Sequence, residues 1–210
     1  MKGVFISIEG IEGTGKSTQA GLLAEHLQRQ GLSVVRTLEP GGTPIGLRIR
    51  ELLLSLESAG MDPLVELLLY NASRVQHIRE VIMPALGRGA VVITDRFSDS
   101  TAAYQGFGRG IDMKLIDSLD VISTDRLRPD LTILLDIDVE TGLMRNRHIN
   151  KQDRLELEDV RFHELVRKGF LSLAAGEPDR FRIVASSAGI EEVHRKIAAL
   201  ADDFIQRSGR

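Results

Sequence analysis

Short apolar runs alternate with longer stretches of helical periodicity along this 210-residue chain. Five runs read as strands: Val4–Glu9, Ser33–Leu38, Ala90–Thr94, Leu131–Asp136 and Phe181–Ala185. Several are apolar almost without interruption, the pattern of a strand covered on both faces. Between them, Lys16–Gln30 sets Leu22, Leu23 and Leu27 on one helical face and stops at Gly31. Pro44–Leu56 predicts a shorter helix. Asp62–Leu86 opens with an N-cap aspartate and a proline at the first helical position, and Pro84 is expected to kink or end it. Met113–Leu119, Val139–Arg147, Asp153–Ala175 and Ile190–Arg207 complete the helical set. Strands alternating with helices predict an α/β fold of three layers, a five-stranded parallel sheet with helices on both faces and right-handed crossovers. Ligands of such a sheet bind at the carboxyl ends of its strands.

Composition narrows the class without changing that picture. No repeat, low-complexity stretch or linker interrupts the chain, so residues 1–210 are expected to form one domain. The net charge of −3 (27 basic against 30 acidic residues) weighs against a nucleic-acid partner. The apolar N-terminal run is too short for a signal peptide, and no stretch of about 18 apolar residues predicts a membrane span. The absence of cysteine excludes disulfides, thiolate metal sites and cysteine nucleophiles, and is compatible with a reducing cytoplasm. The five histidines, His26, His77, His148, His163 and His194, show no metal-ligand spacing and are expected at the surface or satisfied in the core.

The candidate chemistry begins where the first strand ends. Gly10-Ile11-Glu12-Gly13-Thr14-Gly15-Lys16-Ser17, followed by Thr18, matches the phosphate-binding loop pattern, and it has the strand before it and the helix after it that the pattern requires. Glycines let the backbone curl so that successive N–H groups point at phosphate oxygens, and the helix N-terminus adds its positive end. Lys16 can reach the β- and γ-phosphates, and the Ser17 hydroxyl can ligate magnesium. This loop predicts a nucleoside triphosphate with Mg2+, but not the reaction that follows. The third strand ends in Asp95-Arg96, a carboxylate delivered beside the loop for the metal and a cation beside it for an anion.

Here the sequence resembles the thymidylate kinase family over essentially its whole length. The resemblance rests on Phe5–Thr18, on Arg36-Thr-Leu-Glu-Pro-Gly-Gly-Thr43, on Glu66-Leu-Leu-Leu-Tyr-Asn-Ala-Ser-Arg74, on Asp95-Arg-Phe-Ser-Asp-Ser-Thr-Ala-Ala-Tyr-Gln-Gly106 and on Asp153-Arg-Leu-Glu156. It implies transfer of a phosphoryl group from ATP to dTMP with Mg2+, in a cytoplasmic homodimer that takes small-molecule substrates and no nucleic acid or membrane. It places Arg96 and Arg50, with Arg48 nearby, on the acceptor phosphate. Tyr70 is expected to stack on thymine while Arg74, four residues on along the same helix face, donates to its O4. Thr101 and Gln105 fall around the thymine N3/O2 region, and Tyr104 against the 2′ face of the sugar. Glu12 and Glu39 match acidic positions tied to the metal or the acceptor. Read without the family, Tyr70 is more often a plain core residue, and Tyr104 is equally a core residue.

The phosphate loop carries no arginine, so the resemblance sends the catalytic cation to a mobile basic lid, about residues 145–156. Within it Arg145 and Arg147 are expected at phosphate or adenine, with Arg147 catalytic beside Lys16 and Arg96. Ile149 stands where the family often has an arginine, and Lys151 and Arg154 are the other cations in reach. Two further readings stay open: another P-loop nucleotide or deoxynucleoside kinase, and a nucleotide-binding switch without an acceptor site.

Overall fold

A computed structural model describes residues 3–147 and 153–209. Its five strands are β1 (Val4–Glu9), β2 (Val34–Leu38), β3 (Val91–Asp95), β4 (Leu131–Asp136) and β5 (Phe181–Ala185). They form one parallel sheet in the order β2-β3-β1-β4-β5. Central β1 is buried at all six positions, as its apolar run predicts. Its alternation divides the two cores. Val4, Ile6 and Ile8 pack with one set of helices, and Phe5 packs with Ile78, Ile82 and Phe97 on the other face.

The first helix, α1 (Lys16–Arg29), buries Ala20, Leu23, Ala24 and Leu27, a spacing of three and four that makes one face. Leu22 is only half-buried beside that stripe. Gly31, with φ +86°, follows the end of the helix as predicted. Helix α2 (Pro44–Leu54) is capped by Thr43, whose hydroxyl accepts from the Gly46 N–H at 2.9 Å. Helix α3 (Pro63–His77) is capped by Asp62, which accepts from the Leu64 N–H at 2.8 Å.

Of the two effects expected of Pro84, a kink or an end, the helix does not end there. The chain widens into a π turn at Ile78–Ile82 and continues as α4 (Met83–Gly87). The Met83 N–H reaches back five residues to the Ile78 carbonyl. That wider turn gives the proline ring room and absorbs its missing donor. Two other boundaries also shift. The predicted helix from Asp153 begins at Val160, because Asp153 closes a separate turn with the Leu155 and Glu156 N–H groups while Asp159 caps the Phe162 N–H. The helix from Met113 runs to Thr124 rather than Leu119.

One helical segment has no counterpart in the sequence reading. Ser98–Thr101 forms α5, and Ala102–Gly108 continues it as π helix. Its polar and glycine-containing sequence has weak helical propensity, so its shape comes from packing against α8 (Val160–Gly176). Two glycines let the segments close. A Cβ at Gly169 would stand 2.8 Å from Phe107 Cγ, and one at Gly108 would stand 2.6 Å from the Phe162 ring. The remaining helices are α6 (Met113–Thr124), α7 (Val139–Arg147) and α9 (Ile190–Arg207).

Substituting Gly169→Val is expected to cost about 1–3 kcal/mol through overpacking against Phe107. Gly176→Ala, on the same helix with open space around it, is expected to stay within about 0.5 kcal/mol of the parent. Urea unfolding of the two variants checks the contrast.

Candidate active site

Strand register builds the site. Ile8 pairs with Asp95 and Leu38 pairs with Asp95 across the parallel ladder, so the carboxyl ends of β1, β2 and β3 lie in a row. Glu9, Glu39, Asp95 and Arg96 are therefore neighbours although up to 87 positions separate them in sequence. A cavity of about 890 Å³ opens along this edge. It runs from the phosphate loop to the Tyr70–Arg74 face of α3, and sideways to Ser186–Ile190 after β5.

The loop has the conformation its glycines allow. Gly10, Gly13 and Gly15 have φ of +141°, +71° and +88°. At Gly13 a Cβ would stand 1.9 Å from the Gly142 carbonyl oxygen, so α7 closes on the loop only because position 13 has no side chain. Lys16 Nζ donates to the Ile11 carbonyl at 2.6 Å. Burial, with Arg96 nearby, pulls its ammonium down to about 8. The Ser17 hydroxyl donates to Asp95, so the two expected metal ligands are side by side. That donor set is all oxygen, which fits a hard cation that takes its other ligands from phosphate and water.

Arg96 has φ +72°, uncommon for a residue with a side chain. It is held there by its N–H on the Ile8 carbonyl and by the Thr94 hydroxyl on its own carbonyl. Its guanidinium donates to the Gly10 carbonyl, to Ser100, to Glu12 at 3.1 Å and to the Tyr104 hydroxyl at 3.0 Å. Glu12 also receives the Tyr104 hydroxyl and lies 3.3 Å from His163 Nδ1. Burial would raise the Glu12 carboxyl, but His163, Arg96 and Lys16 outweigh it and hold it well below the usual range. An acid inside a phosphate loop is thus neutralised by its own cations.

The other end of the cavity is a second polar cluster. Glu39 is buried with both oxygens occupied, one by Arg74 Nε at 2.8 Å and one by His77 Nδ1 at 2.9 Å. Arg74, 2% exposed, also donates from Nη2 to the Phe97 carbonyl and to Thr101. Its Nη1 is buried with no partner among the described residues. Tyr70 lines the cavity, and its hydroxyl, raised by burial and by Glu66, has no hydrogen bond among the described residues. Arg50 donates to the Pro40 carbonyl at 3.0 Å from the cavity wall.

Most residues expected at the site therefore line one cavity: Glu12 to Thr18, Glu39, Arg50, Tyr70, Arg74, Asp95, Arg96, Thr101, Tyr104, Gln105 and Arg145. Gly10 and Ile11 do not line it. Gly10 shapes the loop, and the Ile11 side chain is core while its carbonyl receives Lys16. Arg145 donates to the Ser186 and Ser187 carbonyls beside the β5 end. Arg154 is tied by its Nη2 to Glu66 at 2.5 Å and is buried there, and it does not line the cavity. The Arg147 side chain and residues 148–152, with His148, Ile149 and Lys151, lie outside the described residues. Sequence reasoning missed Glu9, Glu66 and His163. Glu66, Tyr70 and Arg74 recur at a spacing of four, and that regularity was a readable signal.

A glycine-shaped loop at the end of the central parallel strand, with a lysine, a serine and a facing aspartate, defines a P-loop nucleotide-binding protein. A model of thymidylate kinase matches residues 8–197. The thymidylate kinase of Geobacter sulfurreducens is 50% identical over 214 residues, covering 99% of both chains. That of Pelobacter propionicus is 50% identical over 203 residues, 94% of this chain and 93% of the other. The crystal structure of thymidylate kinase from Ehrlichia chaffeensis superposes with a TM-score of 0.80 at 36% identity, covering 96% of this chain and all of that one. The chain belongs to the thymidylate kinase family.

Glu9 supplies a test of the site's electrostatics. It is fully buried, accepting from the Phe97 N–H at 2.7 Å and the Ser100 hydroxyl at 2.6 Å. Burial and the neighbouring Asp99 push its carboxyl up to about 8 from 4.5. The folded state therefore holds a proton that the unfolded state has released, and this contribution to stability is present below about 4.5 and lost as pH rises to about 8. Glu9→Gln is expected to gain stability relative to the parent across that window and to level off above it. Denaturant unfolding at several pH values checks the slope.

Proposed function

We propose that the chain works as a single-domain ATP:dTMP phosphotransferase, forming dTDP and ADP. One observation carries the reading. A single cavity holds Lys16 and Ser17 at one end and Tyr70, Arg74, Thr101 and Gln105 at the other. Such a space suits two nucleotides placed end to end, their phosphates meeting near Arg96. Family membership supports the same reaction.

The chemistry follows from positioning and charge. A phosphate oxygen of dTMP, already anionic, attacks the γ-phosphorus of ATP, and the bond to the β-phosphate oxygen breaks. No general base is needed. Magnesium, when bound, offsets charge on the phosphate oxygens, and Ser17 and Asp95 are the residues that would hold it. Lys16 exchanges the Ile11 carbonyl for phosphate oxygens. An acceptor phosphate on Arg96 takes donors now shared with Glu12 and Tyr104. Tyr70 stacks on the base, and Arg74 Nη1 donates to its exocyclic oxygen. Glu39 acts by fixing Arg74. Arg50 completes the acceptor-phosphate clamp, and Tyr104 borders the sugar. Arg145 faces the adenine side, and Arg147 supplies the remaining cation from the lid. This chemistry belongs in the cytoplasm, where nucleotides are made.

A homodimer fits the surface. Ile45, Leu47, Leu64, Val65, Leu68, Val121 and Ile122 are exposed on α2, α3 and α6, which lie side by side. Exposed apolar side chains on neighbouring helices suit an interaction surface. Among the described residues no helix is long and apolar enough to cross a membrane.

An acceptor screen with dTMP, dUMP, dCMP, dGMP and thymidine is expected to give the highest kcat/KM on dTMP, and a higher value on any other acceptor overturns the assignment. Arg147→Ala is expected to lower kcat by about 10²-fold or more with dTMP affinity little changed, read by steady-state kinetics and dTMP titration. Lys16 must be charged to hold phosphate. ATP binding is therefore expected to weaken, with uptake of a proton, as pH rises through about 8. Calorimetry in buffers of different ionisation enthalpy measures that uptake.

A further inference from the structure

We propose that Glu66 is a positioning residue that sets the direction of the Gln105 amide, so that the site reads an imide N–H on the acceptor base. The inference rests on the reading of the cavity as a dTMP site.

Glu66 is on α3, one turn before Tyr70, and is fully buried. Three hydrogen bonds and a further ion pair converge on its carboxylate. Arg109 contributes Nε and Nη2, each at 3.2 Å, in a two-pronged grip. Arg154 Nη2 lies at 2.5 Å, and Gln105 Nε2 donates at 2.8 Å. Burial alone would raise this carboxyl, but Arg109, Gln105 and Arg154 outweigh it and hold it below the usual range. An ionised carboxylate only accepts hydrogen bonds. The NH2 of Gln105 must therefore face Glu66, because the reverse orientation sets a carbonyl oxygen against a carboxylate oxygen.

The consequence appears on the other side of the amide. Gln105 is 1% exposed and lines the cavity. Its Oε1 accepts no hydrogen bond among the described residues. The cavity is thus offered an acceptor by Gln105, and Arg74, whose guanidinium only donates, and Thr101 line the same cavity. Thymine and uracil carry N3–H between two carbonyl oxygens and match that pattern. Cytosine has a lone pair at N3 and an amino group at C4, and it meets acceptor with acceptor and donor with donor. Glu66 never touches the base in this arrangement. It selects by denying Gln105 the flip that would suit cytosine.

The test compares kcat/KM for dTMP and dCMP in the parent and in Glu66→Gln, with thermal unfolding measured alongside. An amide at 66 can pair with Gln105 in either direction, so the dTMP-to-dCMP ratio is expected to fall about tenfold or more. A purely structural role for Glu66 would lower both substrates in the same proportion. A ratio held within about twofold overturns the proposal. In a Gln105→Met background, adding Glu66→Gln is expected to leave the ratio unchanged, and a further shift there also overturns it. Should Glu66→Gln not fold, Glu66→Asp keeps a charge for both arginines while drawing it back from Gln105. It is expected to lower the ratio in the same sense, and an unchanged ratio again overturns the proposal. A parent enzyme that fails to turn over dTMP would count against the proposed function itself, and that outcome is seen before any variant is compared.

Discussion

Parallel pairing of β1 with β3 and β4, and of β3 with β2, is the constraint on which this molecule depends. Parallel strands bring their carboxyl ends to one edge, and every residue that follows a strand is delivered there. The phosphate loop after β1, Glu39 after β2 and the Asp95–Arg96 corner of β3 become one site for that reason. The apolar burial that stabilises the sheet also supplies the low-dielectric surroundings in which those polar ends must be paired.

Charge pairing is the next consequence. Three buried acids have acquired a specific partner set: Glu12 with Arg96, Tyr104 and His163, Glu39 with Arg74 and His77, Glu66 with Arg109, Arg154 and Gln105. A buried charge left alone would be far costlier than one paired and hydrogen-bonded. The pairing does more than hold the fold. It leaves Arg74 Nη1 without a partner among the described residues. What the Arg74 end of the cavity presents is therefore set by residues one contact removed from it.

Close approach depends on what is missing from a few positions. Gly13 lets α7 settle on the phosphate loop, and Gly108 and Gly169 let the Ser98–Gly108 segment lie against α8. That segment carries Thr101, Tyr104 and Gln105, so this side of the cavity is placed by tertiary packing. The π turn before Pro84 is a similar accommodation, a local widening that keeps Ile78, Ile82 and Ala85 in the core.

The sequence by itself determined the five strands, the helix caps at Asp62 and Gly31, the phosphate loop and the Asp95–Arg96 corner. These are written in local patterns: unbroken apolar runs, capping residues and glycine spacing. The four-residue rhythm of Glu66, Tyr70 and Arg74 was equally local, though its first member was passed over. Only the tertiary structure decided that Asp153 closes a turn instead of opening a helix, and that a weakly helical stretch from Ser98 becomes helix against α8. It alone showed that Arg96 shares its donors with Glu12, that Glu39 serves Arg74, and that Arg154 is spent on Glu66. The reason is physical. Local propensity is a property of neighbours along the chain, whereas which buried charge meets which is settled by strand register and helix packing between residues far apart in sequence.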